Sequence, residues 1–219
     1  EARTDALSTL RTFFRRVGRR VYLSSNLAVY YPEQPCFAPD LIAVVDTETH
    51  SRMKWVVSRE RRGLDFVLEV HVIGDSSGEH EERLERYAAL GITEYFLFDR
   101  GRLGLRGFRL LEGDGDEAGA YEPIKPQGGR LHSQVLGLDL TAHGNRLRYF
   151  HGTAPLLGTE EILTQLEAQL DELTLEKTEA ERIAEEQRRF GEREKERADR
   201  LDRVNARLQR ELAEATRAG

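Results

Sequence analysis

Apolar residues in the first two thirds of the chain recur at two spacings, and the spacings mark out its elements. Over residues 5–17 (DALSTLRTFFRRV), Leu7, Leu10, Phe13, Phe14 and Val17 fall three or four positions apart, which places them on one stripe of an amphipathic helix. Residues 21–23 and 27–31 are short apolar runs that read as strands, closed by Pro32 and Pro35, which lack a ladder donor. Residues 41–45 (LIAVV) and 65–73 (DFVLEVHVI) are nearly continuous apolar runs, the mark of central strands covered on both faces. The polar stretch between them, around Trp55, fits either a short edge strand or a helical turn. Residues 79–90 (EHEERLERYAAL) predict a second helix, with Gly91 at the position just past its end. Strands are then expected at 94–98, 103–111, 121–124 and 147–150, with turns over 74–78 and over the acidic, glycine-rich 113–119.

After residue 158 the pattern changes. Proline is absent, Gly191 is the one interior glycine, and Glu, Arg, Ala, Leu and Gln dominate to the end, so a long helix is predicted. Counted in sevens, Leu163, Leu170, Lys177, Ala184, Gly191, Ala198, Asn205 and Leu212 form one series. Leu166, Leu173, Ala180, Gln187, Glu194, Leu201, Leu208 and Ala215 form its partner, three residues on. These are the a and d positions of a coiled coil, apolar at both ends and weak in the middle. Asn205 at an a position between Leu201 and Leu208 favours a parallel homodimer, while Lys177, Gln187 and Glu194 leave hetero-assembly with another chain open. A solvated single helix held by Glu–Arg pairs is the plainer alternative. The chain therefore divides into a domain over residues 1–155 and a coiled-coil helix over 156–219.

The order of elements gives an α/β fold, a mixed sheet flanked by helices. Cys36 is the only cysteine, which excludes an internal disulfide, and no run approaches a membrane span, so no membrane association and a cytoplasmic setting are expected. A charged fraction of 33% exceeds the roughly 25% usual for soluble domains, and the excess lies in the C-terminal helix. Net charge is −6, so there is no global attraction to nucleic acid and any such binding must be local. Two arginine clusters stand out, Arg15, Arg16, Arg19 and Arg20, and Arg59, Arg61 and Arg62. Either could meet phosphates or remain solvated surface.

One constellation carries candidate chemistry. Asp40 opens one predicted strand, and Glu69 lies within the next with His71 two residues on and so on the same face. Two carboxylates on adjacent strands suit a hard divalent cation, Mg²⁺ or Mn²⁺, which polarises a phosphate and activates a water. The surrounding blocks, PDLIAVVD, FVLEVHVIGD, a helix carrying Glu82, Arg83 and Tyr87, and above all ERYAALGITEYFLFD, resemble the putative restriction endonuclease family of the Uma type within the PD-(D/E)XK superfamily. The resemblance covers most of residues 7–150, and the charged helical tail is similar to tails of that family.

That resemblance implies a restriction-endonuclease-like fold and metal-dependent hydrolysis of DNA, with Asp40 and Glu69 as metal ligands. It also exposes a departure. The family's lysine, four residues before the helix tyrosine, is Arg83 here, and the superfamily's lysine two after the glutamate is His71. Arginine stabilises phosphate charge but does not act as a base, whereas histidine can. Asp40, Glu69, His71 and Arg83 are therefore the candidate catalytic residues, with Glu82 and Asp75 as possible ancillary ligands and no role for His80 or Asp46. Tyr87, Tyr95 and Phe96 read as core. The competing reading is an inactive nuclease fold, with Arg83 paired to Glu79 or Asp75, that serves assembly through the coiled coil.

Overall fold

A computed structural model describes residues 2–71, 77–111 and 119–218. Asp75 and most of the turns expected over 74–78 and 113–119 lie outside them. The chain divides into two compact units, Glu1–Ile162 and Leu163–Gly219.

The first unit opens with α1 (Ala2–Val17). Gly18 ends it in the left-handed region, at φ 71°, with Arg19 N donating to Phe14 O and Gly18 N to Arg15 O, the paired bonds of a Schellman stop. Strands β1 (Val21–Ser24), β2 (Ala28–Tyr30) and β3 (Leu41–Val45) follow. Around Trp55 both open alternatives are realised in succession: β4 (Lys54–Val56) runs straight into the single turn α2 (Val57–Glu60). Trp55 is fully buried, with Nε1 donating to Arg62 O at 2.9 Å. Then come β5 (Phe66–His71), α3 (Ser77–Ala89), β6 (Glu94–Asp99), β7 (Gly104–Leu111) and β8 (Ala120–Pro123). Gly91 closes α3 at φ 69° with Ile92 N on Tyr87 O, the stop the sequence predicts.

These strands form a six-stranded sheet in the order β1-β3-β5-β6-β7-β8. Within this sheet only β5 and β6 pair in parallel, because α3 carries the chain across between them, while β2 and β4 form a separate parallel pair. A second, four-stranded sheet contains β9 (Leu131–Ser133), β10 (Leu138–His143), β11 (Arg146–His151) and β12 (Ala154–Pro155). Of these only β11 is expected from the sequence. In β10 the alternation Leu138, Leu140, Ala142 against Asp139, Thr141, His143 was the available signal. Its inner face meets α1 and one face of the large sheet in a core that includes Leu10, Phe14, Phe66, Phe96, Phe98, Leu140 and Tyr149. Each such large side chain contributes about 1.5–3 kcal/mol on burial.

The opposite face of the large sheet packs under α3 in a second core of Ile42, Val44, Val67, Tyr95, Leu97 and Tyr87. This alternation fixes the site: Asp40, two before Ile42, and Glu69 and His71, two and four after Val67, all belong to the face that α3 covers.

The last element is α4 (Thr159–Ala218), 60 residues long. At its start Glu161 forms a bidentate ion pair with Arg148 of β11. Along the second unit, Leu163, Leu170, Leu201 and Leu208 are all about half exposed or more, as are Ile183, Phe190 and Val204, one position before the a series. Among the described residues no helix is long and apolar enough to cross a membrane.

Candidate active site

Asp40 and Glu69 interlock at the ends of β3 and β5. These strands are antiparallel with Leu41 opposite Leu68, so the two acidic residues are neighbours across the ladder. Val70 N donates to Asp40 Oδ2 at 2.7 Å, and Asp40 N approaches Glu69 Oε2 at 3.4 Å. Each carboxylate is thus tied to the backbone of the other's strand.

From above, α3 contributes two contacts to β5. Tyr87 Oη donates to Glu69 Oε1 at 2.7 Å, and Arg83 Nη1 meets His71 Nε2 at 2.7 Å. The match is geometric. Two residues of strand advance about 6.6 Å and four residues of helix about 6 Å, so the i, i+2 pair on β5 faces an i, i+4 pair on the returning helix in register. Arginine only donates, so His71 Nε2 accepts and the imidazole proton resides on Nδ1. Nε2 is therefore committed to Arg83 rather than open to a metal or a substrate proton.

Electrostatics mark Glu69 as the unusual group. Burial, reinforced by the nearby Asp40 charge, pushes its carboxyl up to about 7, against the lowering effects of the Tyr87 and Asp40 N–H hydrogen bonds and of Arg83. The Tyr87 hydroxyl is pushed well above its ordinary value by its own burial and by Glu69. Two facing carboxylates of which one resists ionisation form a site short of positive charge, and this donor set fits a divalent cation. Among the described residues no group of three or more His, Cys, Asp or Glu is disposed to hold a metal; an ion that takes one or two carboxylates and keeps several waters, as Mg²⁺ does, fits the pair.

The remaining candidates separate. Glu82 is exposed on α3, and Asp75 lies outside the described residues. Asp99, in register with His71 across β6, caps the following turn by accepting from Arg102 N at 2.9 Å. Sequence reasoning assigned Tyr87 to the core alone. It is indeed buried, but its hydroxyl reaches the acid pair, and its i, i+4 relation to Arg83 was the signal for that.

Residues 2–143 match the Uma2 family, described as putative restriction endonuclease. The chain belongs to this family. The mixed sheet with its crossover helix, followed by a long C-terminal helix, is accordingly a restriction-endonuclease-like domain with a helical extension. Among solved structures, a putative nuclease belonging to DUF820 from Anabaena variabilis is similar at 10% identity over 62% of this chain and 71% of its own, with a TM-score of 0.45. No curated protein matches the sequence.

Proposed function

We propose that this Uma2 member is a metal-dependent endonuclease that hydrolyses phosphodiester bonds of DNA, with Asp40 and Glu69 as ligands of Mg²⁺ or Mn²⁺. The observation that carries the reading is the pairing of Asp40 with a Glu69 whose carboxyl is pushed up to about 7. A bound divalent ion would supply Lewis acidity toward the phosphate and a more acidic water.

The chain's own residues do the positioning. Tyr87 fixes Glu69 through Oε1, and Val70 N fixes Asp40 through Oδ2. Arg83 replaces the lysine as a permanent cation for phosphate charge and takes no proton. His71, accepting from Arg83 through Nε2, acts as its positioning residue and not as the general base.

The long helix supports a parallel dimer of two such domains. Its leucines at a and d are exposed, Asn205 sits among them, and in a parallel pair Arg197 at g falls against Asp202 of the partner subunit at e. Two sites related by two-fold symmetry suit the two antiparallel strands of a duplex.

A supercoiled-plasmid nicking assay with Mg²⁺ or Mn²⁺ tests the reading. The wild type should nick and Asp40→Asn should not, with circular dichroism showing the variant folded. Wild-type protein that leaves the plasmid intact, or a folded Asp40→Asn that still cuts, contradicts it. The absence of lysine at both expected positions favours one alternative, an inactive nuclease fold used for assembly through α4, and an intact plasmid would point there.

A further inference from the structure

The six-stranded sheet ends at β1, and a groove of about 640 Å³ runs along that edge between the C-terminal half of α1 and the loop after β3. Five arginines line it, Arg11, Arg15, Arg19, Arg20 and Arg52, and among the described residues no carboxylate does. This is a concentrated positive feature on a chain whose net charge is −6, two strands away from the one that carries Glu69.

The arginines divide by how their charge is met. Arg52 is neutralised by Glu60 at 3.1 Å and lies over the rings of Tyr22 and Trp55, at 4.7 and 4.9 Å, forming a wall. Among the described residues Arg11 and Arg19 are held by carbonyl oxygens and by no carboxylate: Arg11 Nη2 donates to Leu23 O at 2.9 Å, and Arg19 Nη1 and Nη2 donate to Leu136 O and Val135 O at 2.9 and 2.8 Å, with the Arg19 guanidinium also over the Phe14 ring at 5.7 Å. Carbonyls satisfy donors and fix the side chains, but they leave the positive charge uncompensated. Arg15 and Arg20 are exposed, and among the described residues neither is paired with a carboxylate. Four unneutralised guanidinium groups thus face one groove, two of them already immobilised.

We propose that this edge groove binds phosphate groups, those of a polynucleotide backbone, through Arg11, Arg15, Arg19 and Arg20. Guanidinium forks match phosphate oxygens in geometry as well as charge. Arg11 and Arg15 stand one helical turn apart, about 6 Å along the axis, so the groove presents a line of cationic heads suited to successive phosphates. Phosphate contacts carry no sequence information, so binding through them is independent of sequence. The inference does not depend on the Asp40–Glu69 site.

The test uses the full chain and a fluorescent DNA duplex in EDTA, so that no metal-dependent step enters. Anisotropy titrations over a range of salt compare the wild type with Arg15→Ala/Arg20→Ala, chosen because neither side chain holds the fold, and with Arg200→Ala/Arg203→Ala on α4 as an equal change of charge. The groove variant should bind on the order of tenfold more weakly, with a slope of log K against log salt shallower by about 2, while the control keeps the wild-type curve. Competition with AMP and with inorganic phosphate separates the sources. Duplex binding that millimolar AMP leaves untouched assigns the groove to a polynucleotide backbone, and displacement by AMP or phosphate assigns it to isolated phosphates. A groove variant as tight as the wild type, a control that weakens equally, or a wild type that binds neither duplex nor AMP overturns the proposal. Loss of nicking in the plasmid assay with binding intact would instead count against the metal site alone.

Discussion

Glu69 is the residue on which the proposed chemistry turns, and its state depends on pH in a defined direction. Its carboxyl titrates near 4.5 when free and is pushed up to about 7 in the fold. The ionised form is thus disfavoured by folding, and the stability tied to this group is complete below about 4.5 and declines as pH rises through about 7. Mg²⁺ bound to the ionised carboxylate should reverse that decline, so the rise in melting temperature on adding Mg²⁺ is expected to be larger at about pH 8 than at about pH 6. An equal rise at both would separate Glu69 from the metal. Arg83 offers a second residue-scale test. Arg83→Lys returns the cation of the family pattern and should retain or increase nicking, whereas Arg83→Ala should reduce it by an order of magnitude or more; equal rates in all three proteins would remove Arg83 from the site. A third concerns Glu94, fully buried, which accepts from Arg109, from Ser133 Oγ and from Gln134 N. Glu94→Ala leaves Arg109 without its ion pair and is expected to cost about 3–5 kcal/mol in chemical denaturation, and a change within experimental error would contradict this bonding scheme.

Among elements, β3, β5 and α3 bring the candidate site together, and the proposed assembly rests on α4. On α4, Leu201→Asp with Leu208→Asp puts charge at two d positions and should convert a dimer to a monomer in sedimentation equilibrium. A dimer that persists would place association elsewhere. The exposed Ile183 and Phe190 fall one position before the a series that reads Ala184 and Gly191, so the apolar stripe drifts where the heptad is weakest, and the local ion pairs Arg182–Glu179, Arg182–Glu186 and Arg189–Glu185 support the helix there. Of the three strands of the second sheet that escaped sequence reading, Leu138–His143 carries a readable alternation and the other two do not. Leu131–Ser133 and Ala154–Pro155 are two or three residues long, too short for any period to register. Their pairing is decided by neighbours remote in sequence, such as the Glu94 carboxylate that receives the Ser133 hydroxyl.

Over the whole molecule, what was legible followed from periodicity and what was not followed from contact. The central strands, both domain helices, the long helix and the acid pair could be read because alternation places Asp40, Glu69 and His71 on one face. The i, i+4 spacing places Arg83 and Tyr87 on one face of α3, but their contacts with His71 and Glu69 follow only from how α3 packs on β5. The arginines near Gly18 were visible as a cluster, but only the edge groove shows that Arg11 joins them and that, among the described residues, no carboxylate lines the same surface. Whether Asp40 and Glu69 together hold a divalent ion is decided by calorimetric titration of Mg²⁺ and Mn²⁺ into the wild type, Asp40→Asn and Glu69→Gln. The wild type should bind more tightly at about pH 8 than at about pH 6, with release of a proton, and both variants should lose binding. Binding that survives both substitutions, or a wild type that takes up neither ion at either pH, would contradict an ion held by the pair.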